Sequence, residues 1–420
     1  MTETRPAGAP DGARPPLPRA VLLLALTIFC LGTSEFMIAG LLPSIADDLR
    51  VSVPAVGGLI SIFAIGMLVG APVMTLLTLG LPRRLTLLLS TLVFAAAHLE
   101  VLISDAYPLL VVSRLVGAVA CATFWAVAAA TAVAITDSRS TAKAMAVLVG
   151  GLTIANVIGV PGGTWIGEHW GWRATFVVVG VLTLVTGFIG WRTVPETSQH
   201  TGEKLGRLAG RELRALRNPR LLVALATTAA FQAAIFCTFS YLAPLLSEVS
   251  GVPEELIPVV LLVFGAGTLL GIAVGGRYAD RNLLRAVVVC FVLLLGGLVL
   301  LRAAAGSPVL VWFAVFVFGA TGFSVASAIN ARVFSHAGAA PTLASAMNVS
   351  AFNVGNAVGP ALGGWVIAAG AGLTAPIWVS MVLVAMALSL AGTSWLLERP
   401  SPAAAPVRVS ATKVNCDTAS

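Results

Sequence analysis

The chain has 420 residues, of which 58% are hydrophobic and only 10% charged, and its mean hydropathy is +0.97. So little polar surface cannot coat soluble domains, which excludes a soluble enzyme and points to an integral membrane protein. The formal charge of +7 does not argue for a nucleic-acid partner, because the Lys and Arg residues lie in short loops between apolar runs and not on one face.

Residues 1–18 are rich in Pro, Gly and Ala and carry Arg5 and Arg14, as a disordered cytoplasmic tail would. The apolar run that follows is too long for a signal peptide, so an uncleaved first span is expected. Runs of about 20 apolar residues recur along the chain, each long enough to cross a hydrocarbon layer of roughly 30 Å as a helix. Lipid cannot satisfy free backbone groups, so helices are the default. Spans one to six are expected near 19–43, 55–79, 84–104, 107–134, 143–167 and 172–192, and spans seven to twelve near 220–247, 256–279, 284–305, 308–334, 343–370 and 373–397. This divides the chain into a six-helix half over 19–192, a basic linker over 193–219, a second half over 220–397 and a cytoplasmic tail over 398–420. The linker holds Lys204, Arg207, Arg211, Arg214 and Arg217 and reads as a cytoplasmic, partly helical segment facing anionic headgroups. With the N-terminus cytoplasmic, 21 of the 25 Lys and Arg lie inside, Arg50, Arg173 and Arg302 outside, and Arg114 within the membrane; the bias places both termini in the cytoplasm.

Span one commits Glu35 to an apolar run that is free of other charge from Ala20 to Ala46. An ionised group at that depth costs at least about 3 kcal/mol, so it must be partnered, face a cavity or carry a proton. Glu35 lies eight residues before Pro43, roughly 12 Å from the expected outer end of span one, and Arg114 lies nine residues after Asp105, at a depth of roughly 13 Å in span four. The two charges can share one layer. Desolvation favours a protonated carboxyl, and an approaching guanidinium favours the ionised one. That competition is what a proton-coupled carrier requires; a fixed Glu35–Arg114 brace, or Arg114 satisfied by carbonyls of span one, are the alternatives.

The halves resemble each other. Phe63 to Gly70 (FAIGMLVG) aligns with Phe264 to Gly271 (FGAGTLLG), and Arg84 then falls on Arg285. Asn156, Gly159, Gly163 and Trp165 fall on Asn356, Gly359, Gly363 and Trp365. Such internal repeats mark secondary transporters with a substrate site near the midplane. In span five, Gly159 and Gly163 let a neighbouring helix approach while Pro161 bends the backbone; Gly355, Gly359, Pro360 and Gly363 repeat the device in span eleven. Arg83 and Arg84 after span two, with Gly276, Asp280 and Arg281 after span eight, form a candidate cytoplasmic gate of acid and base at helix ends. Glu35, Trp125, Gln232, Phe239, Tyr241 and Asn353 are candidate substrate contacts, although Gln232, Tyr241, Asn330, Asn348 and Asn353 each fit a helix-to-helix hydrogen bond better. His98 and His336 lie near span ends without a second ligand at metal spacing, so no metal site is expected. The five cysteines show no CxxC spacing and read as packing residues. The glycines of residues 265–271 sit in a membrane span with no preceding strand, and no GxxxxGK[ST] occurs, so neither a dinucleotide nor an ATP site is indicated.

Taken with these residues, the chain resembles the major facilitator superfamily over residues 19–397, and more narrowly its twelve-span drug:proton antiporters. GTSEFMIAGLLPSIADDL in span one, RLVGAV from Arg114, NVIGVPGGTWIG in span five and FSYLAPLLSEVSG from Phe239 are similar to the branch with actinobacterial chloramphenicol exporters and bacterial sugar-efflux relatives. The resemblance implies an all-α fold of two pseudo-symmetric six-helix halves, export rather than uptake, proton coupling through Arg114, and a monomer in the bacterial inner membrane that uses the proton gradient and no cofactor. One departure stands out: the loop after span two has Leu79 where the second half has Asp280. The expected function is proton-coupled export of a small amphipathic drug, chloramphenicol or a related phenicol above others, with Glu35 taking up protons. A sugar, nucleoside or metabolite exporter is the nearest rival, and a non-transporting membrane sensor or scaffold is the rival of another class.

Overall fold

The computed structural model describes residues 17–78, 81–136, 140–195, 218–279, 283–336 and 341–398. Within them twelve helical spans are long and apolar enough to cross a membrane. Spans one to six are Arg19–Leu49, Val53–Ala71, Arg83–Leu102, Tyr107–Ala134, Lys143–Trp170 and Trp172–Thr193. Spans seven to twelve are Pro219–Val249, Glu254–Tyr278, Leu283–Ala304, Leu310–Val333, Met347–Ala371 and Ala375–Trp395. No strand occurs among the described residues. The basic residues of the linker, Lys204 to Arg217, those of the two tails, and Asp280 and Arg281 of the expected gate lie outside the described residues.

The helix ends follow local chemistry. Pro108 and Pro219 sit in first turns, where a missing N–H costs nothing, and the Asn218 side chain caps span seven by accepting from the backbone N–H of Arg220 at 3.1 Å. Gly171, at φ 83°, makes the tight turn between spans five and six, a conformation that disfavours any residue with a Cβ. Two spans depart from the expected continuity. Span one does not stop at Pro43 but runs through it to Leu49, so Glu35 sits sixteen residues from the start and fourteen from the end, near mid-length. Span seven breaks at Ser240 and Tyr241, because the Pro244 ring cannot sit against the carbonyl four residues earlier.

Each half packs through glycines. In span eight Gly267, Gly271 and Gly275 recur every fourth residue and lie on the backbone of span ten; a Cβ on Gly271 would come within 2.9 Å of the Ala320 carbonyl carbon. In span eleven Gly355, Gly359 and Gly363 lie likewise on span seven, where a Cβ on Gly359 would stand 2.9 Å from the Cys237 nitrogen. Lipid gives helices no hydrophobic reason to associate, so close backbone approach supplies the attraction. Arg173 ties three turns of the first half together: it pairs with Asp48, pairs with Asp105 at 2.5 Å, and lies over the Trp172 ring, whose Nε1 also donates to Asp48. Cys30, Cys121, Cys237 and Cys290 are buried and free, as packing residues should be.

The halves meet from mid-depth to the end that carries the turns between spans one and two and between spans seven and eight. At mid-depth the Phe36 and Phe236 rings stand 5.0 Å apart and the backbone of Gly265 lies on Val157, and nearer that end the Tyr241 ring of the second half lies against Gly57 of the first, and Gly364 against Pro54. At the opposite end, where the described chain starts and stops, the first part of span five packs on spans one and four of its own half, and the last part of span ten on helices of the second half. The halves therefore diverge toward the end of Arg19 and Glu398.

The glycine seam yields a stability prediction. Gly271→Val overpacks span eight against span ten and should cost about 1–3 kcal/mol, whereas Gly296→Val, with nothing within 4 Å of its Cβ, should be tolerated. Thermal unfolding of the two purified variants in detergent compares them directly; equal midpoints would show that the seam is not tightly packed.

Candidate functional site

Glu35 is 7% exposed and lies on the face of span one that looks toward the second half. Its Oε1 accepts a hydrogen bond from Nδ2 of Asn356 in span eleven at 3.2 Å, and Oδ1 of Asn356 accepts from Nε2 of Gln232 in span seven at 2.8 Å. A polar chain thus crosses from one half to the other at the level of the buried acid. Asn356 had drawn notice in the sequence only as the repeat partner of Asn156, and the two differ in role. Asn156 donates to the carbonyl of Leu152 in its own helix.

Arg114 is 1% exposed and occupies the same region from span four, but it forms no ion pair with Glu35. Its Nη1 donates to the Ser34 carbonyl at 3.1 Å and to the Ser34 Oγ at 3.0 Å. Of the arrangements open to it from sequence, the bond to a carbonyl of span one is the one adopted. The guanidinium lies 4.2 Å from the centre of the Phe63 ring, and its Nε and Nη2 are buried without a hydrogen-bond partner. Arg114 therefore acts on Glu35 through space, one residue removed, while two donors stay free.

Behind Ser34 stands a residue that the sequence offers only as a histidine without a second metal ligand. His98 of span three is 2% exposed, stacked on Phe94 with ring centres 4.0 Å apart. Its Nδ1 donates to the Phe94 carbonyl at 2.8 Å, so Nε2 carries the lone pair and accepts the Ser34 hydroxyl at 2.5 Å. The order Arg114 to Ser34 to His98 suits a neutral ring, with the Ser34 hydroxyl accepting from the guanidinium and donating to the imidazole. A histidine in an otherwise apolar run was the available signal, but its partner lies 64 positions away.

The remaining candidates are dispersed. Phe239 is buried in the second half, stacked on Phe264 at 4.8 Å. Tyr241 is fully buried and its hydroxyl donates to the Pro360 carbonyl at 2.8 Å. Asn353 donates to the Val349 carbonyl of its own helix and keeps a buried Oδ1 without a partner. Trp125 of span four is half-buried against the hydrophobic core. Asn330 and Asn348 bond to each other across spans ten and eleven, as expected of helix-to-helix contacts. In span five a π-turn over Ala155–Gly159 leads directly into the segment opened by Val160 and Pro161, and Gly159 and Gly163 lie against Thr33 and Met37 of span one. At the opposite end, Nε of Arg84 donates to the Trp191 carbonyl at 2.8 Å and the Arg84 guanidinium stacks on the Trp191 ring, both within the first half. Arg83 keeps a buried Nε without a hydrogen-bond partner, and Gly276 faces Ser327.

The Arg114, Ser34 and His98 chain makes a quantitative prediction. Ser34→Ala and His98→Leu should each lower the thermal midpoint, and the double variant should lose less than the sum, with a coupling of about 1 kcal/mol. Additive losses in the same unfolding assay would show that the two side chains act separately.

Among known proteins, the family model of the Major Facilitator Superfamily matches residues 24–349. A chloramphenicol resistance protein of Streptomyces lividans is 42% identical over 378 residues, covering 89% of this chain and 96% of that one. The inner membrane transport protein YdhP of Escherichia coli K12 is 34% identical over 377 residues, covering 88% and 94%. Among solved structures, a bacterial homolog of the human lysosomal transporter Spinster, in an inward-facing and unoccupied conformation, superimposes with a TM-score of 0.75 at 19% identity, covering 93% of this chain and all of that one. The twelve spans, the two halves meeting at one end and these matches lead to one assignment: the chain is a multi-pass membrane transporter of the Major Facilitator Superfamily and not an enzyme.

Proposed function

We propose that this transporter exports a small amphipathic drug in exchange for protons, with chloramphenicol or a related phenicol as its substrate. The observation that carries the reading is Glu35, a carboxyl buried between the halves with its countercharge one residue removed and not in contact. A direct ion pair would hold the acid permanently ionised; a guanidinium held back leaves room for a proton to come and go. The likeness to the Streptomyces lividans chloramphenicol resistance protein supports the choice of substrate.

The charge bias of the loops supports an inner-membrane orientation with both termini in the cytoplasm. In that orientation the sealed end faces out and the conformation is inward-facing. Rocking of the halves would then expose Glu35 alternately to each side, with protons entering from outside as the drug leaves. No cofactor is invoked, and a monomer suffices because the path lies between halves of one chain. Export of a polyhydroxylated molecule such as a sugar or nucleoside is the second reading, favoured by the unpaired buried acceptors Gln232 Oε1 and Asn353 Oδ1.

Expression in a sensitive bacterium should raise the inhibitory concentration of chloramphenicol, and a protonophore should restore drug accumulation. Glu35→Gln should reach the membrane yet lose concentrative export by about tenfold or more, as expected when one proton site is removed from a coupled cycle. Unchanged resistance with membrane expression confirmed would overturn the phenicol assignment. Retained pH-driven export by Glu35→Gln would remove that residue from coupling.

A further inference from the structure

The chain of side chains through Glu35 has a direction. Asn356 donates to the carboxylate and Gln232 donates to Asn356, so every N–H points toward Glu35, the order that a charged acceptor imposes. Gln232 Oε1 is left buried and without a partner. Because an amide can turn end for end, the same residues also admit the reverse order. A protonated Glu35 then donates its O–H to Asn356 Oδ1, and Asn356 Nδ2 donates to Gln232 Oε1. Either order leaves one polar atom of Gln232 unpaired, so the amides themselves favour neither. The proton on Glu35 decides.

We infer that Asn356 and Gln232 are positioning residues that form a lock between the halves, closed by ionised Glu35, which holds the empty and unprotonated carrier in the conformation described here. The inference rests on the proton-coupled reading above. An exchanger must cross when loaded with either proton or drug and must not cross with neither; otherwise the two gradients are no longer linked. The bond from Asn356 to an ionised carboxylate is charge-assisted and spans the two halves. Taking up a proton from water replaces it with a weaker neutral bond. A drug molecule that engages the Asn356 amide would open the lock by the same route. The other charged or titratable groups that act on Glu35 are Arg114 and Cys121. Both lie on span four, in the same half as Glu35, so they move with it and join nothing across the interface.

The test needs no drug. The full-length chain, with Cys416→Ser and spin labels at Ala106→Cys and Gly306→Cys on sealed-end turns of opposite halves, is placed in lipid nanodiscs and inter-label distances are measured at alkaline and acidic pH. Without further change the sealed end should stay closed at alkaline pH and open on acidification. Asn356→Leu, close in shape but without polar atoms, should shift the closed-to-open ratio by about tenfold already at alkaline pH, the loss of one charge-assisted hydrogen bond. Gln232→Leu should act in the same direction more weakly. Asn356→Asp places a second titrating carboxyl beside Glu35 and should displace the pH profile, a change that a purely structural contact would not produce. If Asn356→Leu fails to fold, Gln232→Leu and Asn356→Asp decide alone. An Asn356→Leu protein that opens only on acidification, with the original profile, would overturn the lock. A sealed end insensitive to pH in the otherwise unaltered protein overturns the lock, and pH-driven chloramphenicol export by that protein in vesicles then decides separately whether proton coupling stands.

Discussion

An acid held between two halves of a membrane bundle organises the polar interior of this protein. Removing a carboxylate from water is expensive, and what offsets it is assembled from helices far apart in sequence: an amide from span eleven, backed by one from span seven, and the field of a guanidinium from span four. Arg114 is kept from closing on Glu35 because Ser34 accepts both bonds from its Nη1, and Ser34 is itself held by the imidazole of His98. The arrangement supplies positive potential without consuming the carboxylate in a fixed pair. An acid so placed responds to its surroundings, and that is the property a coupling site needs.

The packing around this layer explains how a local event can become a global one. Within the second half, the glycines of spans eight and eleven bring backbones close enough that neither helix pair can slide without a clash, so that half behaves as one body. In the first half, Arg173 fastens three turns to one another. Between the halves the contacts are aromatic rings, Tyr241 against Gly57, Gly265 against Val157, and the hydrogen bond from Asn356 to Glu35. Two rigid bodies joined by a restricted interface favour rocking over internal deformation.

Much of this was legible in the sequence, and the exceptions have physical reasons. The spans stand out because hydropathy is a one-dimensional property, and Glu35 and Arg114 stand out because charge is rare in apolar runs. Proline was the ambiguous signal: Pro43 is absorbed within a helix, while Pro244 breaks one, and the two differ in tertiary surroundings and not in local pattern. The seam formed by Gly267, Gly271 and Gly275 was visible as spacing, yet its partner span ten was not. His98 and Asn356 could not be assigned roles, since each acts through a partner 64 or 321 positions away.

The repeat itself misled by suggesting equivalence. Asn156 and Asn356 occupy matching places, but the positions of the second half that match Glu35 hold Ile235 and Phe236, so only the first half carries the acid. Asn156 has no acid opposite it and bonds to its own helix; Asn356 does, and bonds across the interface. The asymmetry has mechanical sense. If the acid and the groups that respond to it lay in the same half, a proton would change contacts that move together and would leave the relative position of the halves unaffected. With the acid in one half and the amides in the other, a change of charge alters a contact that rocking must break, so the energy of protonation enters the conformational equilibrium directly.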